Sequence, residues 1–454
     1  MAVMNNYTSQ LSRRDALSLS SCGFGYLALR GLLSDDLQAA PFRNPLSEKP
    51  SHFQPKAKRV IFMFMQGGPS HLETFDHKPE LEKAGDKKIG GKPLLAPVYK
   101  FNPHGKSGLM ISDVYPHLAR HADELCLLNG MHTSSPAHPQ ASIALHTGSQ
   151  NFVRPSMGAW ITYGLGTVNQ DLPGFVTINP LGRLGGAQNY GSAFLPASYQ
   201  GTKLSVGNAM ANINNAKLSK PEQRRQIDLV QSMNRGMLDR VGTNSEIEGV
   251  IQSYELAYRM QSTVPTVMDL KKENQKTRDM YGLDKKVTSN FGTQCLMARR
   301  LAESGVRFIQ VTHNGWDQHN GLSTKLKNNA LATDRPIAAL ISDLKDRGML
   351  NDTLLIWGGE FGRTPEAQNK DGRRHNNRGY SMWLAGGGVK GGMRYGATDP
   401  LGDTAVSDKM HTHDLHATVL HLLGLDHTKL TYRYAGRDFR LTDVYGEVAQ
   451  KIIT

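Results

Sequence analysis

Cysteine is scarce: Cys22, Cys126 and Cys295 are the only three in 454 residues, and none belongs to a CxxC pair. That excludes a disulfide framework and a thiolate zinc cage, and Cys126, set in an apolar run, reads as a small core residue. Long hydrophobic runs are also lacking. No segment after the N-terminal forty residues approaches the 18 apolar positions a membrane-spanning helix needs. Acidic residues are the minority, 40 against 53 Lys and Arg, giving a net charge of +13. Such a balance favours anionic partners, whether nucleic acid, acidic lipid, or a sulfated or phosphorylated substrate. The basic residues are dispersed, however, with no dense run and no interleaved aromatics, so nucleic acid is set aside. With 39% hydrophobic and 20% charged residues the chain reads as soluble and globular, and its length suits one large α/β domain or two ordinary ones.

At the N-terminus, Ser12-Arg13-Arg14-Asp15 precedes a weakly apolar stretch from Ala16 to Leu33, with small residues at Ala39 and Ala40. This order predicts a twin-arginine export signal over residues 1–45 and a periplasmic or extracellular protein; the competing reading is a cytoplasmic amphipathic extension. Asn44 to Lys58, with three prolines, reads as the linker into a single domain over 46–454.

Short apolar runs recur along that domain at Arg59–Met65, Leu125–Leu128, Phe175–Ile178, Val306–Thr312, Thr353–Trp357 and Tyr380–Ala385. Uncharged runs of this length predict strands covered on both faces. Helical patterns separate several of them, and a charged stretch with apolar residues at helical spacing, Ile227, Val230, Met233 and Met237, marks a helical insertion at about 219–285. Its stripe reads as packing. Helices are also expected after His138, closed by Gly148, from Asn290 to Glu303, around Arg335–Asp346, and from Asp414 as N-cap to Leu423. Strand and helix in alternation predict a layered α/β fold with a central, mostly parallel sheet between helices. The glycine run Gly386–Gly392 lacks the Gly-Lys-Ser/Thr ending of a phosphate loop and reads as a tight turn.

Polar residues collect after the strands, where open α/β sheets bind ligands. Gly358 and Gly359 lead to Glu360, Arg363 and His375; Val306–Thr312 leads to Asp317 and His319; the first strand leads to Gln66, His71 and Asp76. Asp317 and His319, two apart, share one side of an extended segment. With Glu360 and His375 they form an oxygen and imidazole set suited to a divalent zinc, manganese, iron or calcium ion rather than to a thiolate site. His71 is a further candidate, its alternative being a turn role. Arg363 suits an anionic substrate oxygen. The competing reading pairs Asp317 and Glu360 with arginines and leaves the histidines merely hydrogen-bonded. His411 and His413 are expected to flank the last helix's cap.

The segments GGPSHLETFDHKPEL, RPSMGAWITYGLG, NGWDQHN, GGEFGRTPEAQN with GRRHN, LAGGGVKGG and HDLHATVLHLLGLDH together resemble the secreted bacterial family known as domain of unknown function 1501, from about residue 59 to 445. That family is placed in the alkaline phosphatase and sulfatase superfamily, which implies a sheet between helices and a metal site at its carboxyl edge. Set against the sulfatase pattern, Glu360 takes an aspartate's place, Phe361 a histidine's, and Gln66 the aspartate that ends the first strand. If Thr147-Gly148 matches the end of the nucleophile motif, His138 stands where the reactive cysteine would be, and acts as nucleophile or as ligand in a rearranged site. Arg374 stands where many relatives carry an acid. The resemblance implies an exported, metal-dependent hydrolase of sulfate or phosphate esters, including esters on anionic polysaccharide, with His138 and Arg363 catalytic and Asp317, His319, Glu360, His375 and His71 as ligands. The alternative is an inactive scaffold of the same fold that binds glycan or protein in the envelope. Convergence of these side chains on one point separates the two.

Overall fold

After Arg59, the run Arg59–Met65 has no charged side chain, and it forms β1 with every residue but the first buried. The structure is a computed structural model and describes residues 44–454 apart from 85–86, 90, 208–216 and 242–244. The expected twin-arginine motif, Arg13-Arg14, lies outside the described residues. Along the chain follow β2 (Leu125–His132), β3 (Phe175–Ile178), β4 (Thr202–Leu204), β5 (Phe308–His313), β6 (Thr353–Gly358), β7 (Tyr380–Ala385), β8 (Met393–Tyr395) and β9 (Met410–His411). Among the described residues these make one nine-stranded sheet in the order β8-β2-β7-β6-β1-β5-β3-β4, with β9 also paired to β2.

Every pair in this sheet is parallel except those of β7, which runs against β6 and β2. One reversed strand has a consequence for the site. The chain leaves β6 and enters β7 on the same, carboxyl edge, so the hairpin Gly362–Ala367/Arg373–Asn376 between them belongs to that edge. The carboxyl ends of β1, β2, β5 and β6 meet there too.

The longer helices among the described residues are α1 (His138–Thr147), α2 (Met157–Leu165), α3 (Lys220–Val241), α4 (Ser245–Met268), α5 (Ser289–Glu303), α6 (Leu322–Asp346) and α7 (Thr412–Leu422). Both faces of the sheet are covered. Phe62 and Phe64 meet the His146 ring of α1 at 5.6 and 4.6 Å, whereas Trp357 on β6 turns to the opposite face, against Phe75, Tyr115 and Trp316. This two-sided burial is why the strands carry uninterrupted apolar runs.

Three local expectations are corrected. Helix α6 starts thirteen residues before Arg335 and continues through Pro336, a residue that normally sits in a first turn because its ring displaces a backbone hydrogen bond. The last helix is capped by His411, not by Asp414. The His411 side chain accepts from the His413 N–H at 3.3 Å, and Asp414, at the third helical position, closes a capping box by accepting from the His411 N–H at 2.7 Å. In α3, Met233 and Met237 are exposed rather than packed. The pair α3/α4 is joined through polar contacts, Gln231 Nε2 to the Ile251 carbonyl and Arg224 to Glu255, both 2.8 Å.

Two histidines beneath the sheet edge set an acid limit on the fold. His146 donates from Nδ1 to the Ser142 carbonyl at 2.7 Å, and His416 of α7 donates from Nε2 to the Leu145 carbonyl at 2.7 Å. Burial pushes His146 down to about 4 and His416 down to about 3. Both are therefore neutral in the fold, while the unfolded chain protonates them near pH 6.5. Their contribution is intact above 6.5 and is lost as pH falls toward 4, on the order of 2 kcal/mol each by pH 5. Urea midpoints should fall between pH 7.5 and pH 5, and His416→Gln should flatten that fall; a midpoint independent of pH in this window would refute the account.

Candidate metal centre

Four loops at the carboxyl edge deliver the site. β2 leads into α1, whose first residue is His138; β5 leads to Asp317 and His319; β6 leads to Glu360; the hairpin carries Arg363 and His375 as directly paired residues. Gly67, just past β1, has a φ of +116°, and a Cβ there would lie 2.6 Å from the Asp317 backbone nitrogen. Only glycine permits this approach. It brings the Gly67 N–H to both Glu360 oxygens, at 3.0 and 3.1 Å.

Around Asp317 Oδ1 gather three imidazole nitrogens of the same kind: Nε2 of His138 at 3.2 Å, of His319 at 2.9 Å and of His375 at 3.4 Å. His319 Nε2 and His375 Nε2 are themselves 2.9 Å apart. One donor atom from each of the four residues lies within 4.8 Å of every other. The opposite ring nitrogens are all engaged. Nδ1 of His138 donates to Glu360 Oε1 at 2.6 Å, of His319 to Gln368 Oε1 at 2.6 Å, and of His375 to the Pro136 carbonyl at 2.8 Å. A carbonyl accepts only, so these bonds place the ring protons on Nδ1 and turn the Nε2 lone pairs inward. Lone pairs aimed at one another and at a carboxylate oxygen repel unless a cation or protons stand between them. The buried Nε2 of His138 has no hydrogen-bond partner of its own.

The electrostatics agree. Burial alone would lower the His138 imidazole, yet Asp317 and Glu360 overcome it and raise the group to about 9. Burial would raise Asp317, but His138, His375 and Arg363 hold its carboxyl well below the usual carboxylate range. Burial is the main influence on His319 and lowers it. The group is thus built around positive charge. Three imidazoles and a carboxylate with braced outer nitrogens fit a borderline divalent ion such as zinc, manganese or iron; the nitrogen majority fits calcium poorly. The Asp317 side chain is 45% exposed and that of His138 10%, so one side of the group is open to solvent.

The structure thus brings His138, Asp317, His319 and His375 together, with Glu360 and Arg363 in contact with them from behind. Glu360 is fully buried behind His138, with its oxygens on that ring and on the Gly67 N–H. Arg363 turns inward. Its fully buried guanidinium donates to the carbonyls of Gly67, Gly68, Trp316 and Arg373 and to Asp317 Oδ1 at 2.8 Å, which makes it the internal counter-charge of Asp317. His71 is not among the four: it packs against Gly362 of the hairpin, its Nε2 donates to the Gly402 carbonyl at 2.8 Å, and burial lowers its pKa. His138 Nε2 points among the donor atoms of Asp317, His319 and His375. Gln66 turns its amide to the Arg183 carbonyl at 3.0 Å. Sequence reasoning missed Gln368 and the Pro136 carbonyl, neither of which carries a motif; only the fold reveals them as acceptors.

Comparison with known proteins gives one family and several distant structures. No curated protein matches the chain. Solved structures similar to it include the lipoteichoic acid synthase LtaP from Listeria monocytogenes, 11% identical over 87% of this chain and 78% of that one, with a TM-score of 0.36. The PsFucS1 sulfatase from Pseudoalteromonas sp. is 13% identical over 81% and 68%, with a TM-score of 0.35. The C-terminal periplasmic domain of EptC from Escherichia coli, in complex with Zn, is 10% identical over 83% and 87%, also at 0.35. Scores this low carry no argument about chemistry. No helix among the described residues is long and apolar enough to cross a membrane. A family model matches residues 57–453, nearly the whole of the described chain, and the chain therefore belongs to the family described as protein of unknown function (DUF1501).

Proposed function

We propose that the chain is an exported, metal-dependent hydrolase of sulfate or phosphate esters, with anionic polysaccharide as a source of such esters. The observation that supports this best is the inward convergence of three Nε2 atoms and Asp317 Oδ1, each imidazole braced from behind. His138, Asp317, His319 and His375 would hold a divalent ion, which would supply Lewis-acid chemistry toward an ester oxygen and a nucleophilic water. The residues around it set the geometry. Glu360 holds the His138 ring in one tautomer; Arg363 fixes the Asp317 carboxylate and balances its charge inside the protein; Gln368 and Pro136 orient the other two rings. The exposed side of Asp317 and His319 is the open approach for substrate. The net charge of +13 favours an anionic ester, and the twin arginine at Arg13-Arg14 supports export.

Elemental mass spectrometry on protein purified without chelator is the test. Near-stoichiometric zinc, manganese or iron is expected, with loss of that metal in His375→Ala. Chelation should abolish turnover of aryl sulfate or aryl phosphate, and add-back should restore it. Wild-type protein that stays empty after soaking in these ions would overturn the reading and leave the binding scaffold in its place.

A further inference from the structure

A second feature occupies the same edge of the sheet. Where β2 and β9 end, a cavity of about 720 Å³ is lined by His132, His411, His413, Asp414, Tyr445 and Glu447. Its aromatic wall is ordered. His413 lies flat on Tyr445, with centroids 5.0 Å apart and planes 5° from parallel; His411 is 4.8 Å from His413, and His132 5.1 Å from His411. His413 covers one face of the Tyr445 ring, and that residue is 61% exposed. Ser134 also lines the cavity, with its hydroxyl 3.1 Å from His411 Nε2.

The cavity is joined to the metal group by a short piece of backbone. Ser134 precedes His138 by four positions, a span of about 14 Å at full extension. Between them, the Pro136 carbonyl braces the His375 ring. One segment is thus both a wall of the cavity and a support of the histidine group.

The wall's chemistry restricts the occupant. Val444 is the only aliphatic side chain in it, so it does not suit an apolar ligand. No lysine or arginine lines it, while Asp414 and Glu447 do, so it does not suit a sulfate or phosphate. The Asp414 oxygens accept from the backbone N–H groups of His411 and Glu447, at 2.7 and 2.8 Å, and hold the two sides of the cavity together. What remains is a flat aromatic face beside imidazole and hydroxyl groups, which matches a ring that is apolar on its faces and hydroxylated at its rim.

We propose that this cavity is a subsite for an uncharged sugar ring, stacked on Tyr445, of a saccharide whose ester group lies at the metal centre. The assignment of the ester rests on the proposed hydrolase reading; the sugar subsite is read independently of it. Calorimetry on the full protein, with and without chelator, against uncharged gluco-, galacto- and manno-hexasaccharides tests the subsite directly. At least one should bind with and without metal; Tyr445→Ala should weaken it about tenfold or more, and Tyr445→Phe should retain it. On esters, Tyr445→Ala should lower the ratio of kcat/KM for a sulfated oligosaccharide to that for an aryl sulfate by a similar factor. If no hexasaccharide binds, if Tyr445→Ala changes nothing, or if an organic cation such as choline binds instead, the proposal falls. Sugar binding without turnover of any ester would retain the subsite and reject the hydrolase.

Discussion

Glu73→Ala is expected to lower the free energy of unfolding by about 3–5 kcal/mol, the cost of leaving one member of a buried ion pair uncompensated. Glu73 and Arg373 are both fully buried and three hundred residues apart in sequence. The guanidinium meets the carboxylate through Nε at 3.0 Å and Nη2 at 2.6 Å, Ser70 donates to the same carboxylate, and the remaining N–H groups reach the carbonyls of Thr364, Pro365 and Leu95. The pair fastens the turn after β1 to the hairpin, two positions before His375. Metal affinity should therefore fall together with stability. A double replacement, Glu73→Leu with Arg373→Met, should cost less than the single one, because no charge is left stranded. Urea denaturation of the metal-free proteins decides it, and a single variant as stable as wild type would refute the lock.

The second large effect separates ligation from folding. Asp317→Ala should empty the metal site and also destabilise the metal-free protein by about 2–3 kcal/mol, because Arg363 loses the carboxylate it pairs with. The figure lies below that of a fully buried pair because Asp317 is partly in solvent and the guanidinium keeps its carbonyls. His319→Ala should empty the site equally while changing the metal-free stability by less than about 1 kcal/mol, since the ring is a third exposed and strands no charge. Measuring both without metal avoids the stabilisation that a bound ion adds. Retention of metal in His319→Ala would remove that residue from the ligand set.

The fold was legible where burial on both faces leaves a clear pattern. The runs at 59–65, 308–313 and 353–358 are central strands and read as such; β4, only Thr202–Leu204, and the hairpin Phe101–His104/Leu109–Ser112 did not stand out, because short edge pairings leave little periodicity. α2 was missed for a different reason: its sequence, MGAWITYGL, is buried nearly all round and carries two glycines, so no amphipathic stripe marks it. The site divides in a similar way. Asp317, His319 and His375 were visible as polar residues after strands, and His138 as an oddity within a borrowed pattern. What spacing cannot convey is depth. Glu360 sits one layer behind His138, and Arg363 is turned inward onto carbonyls from residues 67, 68 and 316. Those placements depend on contacts hundreds of residues apart.

The proposed ligand atoms come from positions 138, 317, 319 and 375, and the groups that brace them from 136, 360 and 368. Apart from Asp317 and His319, no two of these residues are neighbours until the sheet has closed, so an ion held there would be captured only by finished protein. Sites of mixed imidazole and carboxylate rank metals by affinity in an order that differs from their supply, and the ion retained is set by what is free where folding ends. On the proposed twin-arginine export, in which a chain crosses the membrane already folded, that place would be the cytoplasm. The protein would then carry the metal inventory of the cell interior to the outside, whatever the composition of the medium it enters.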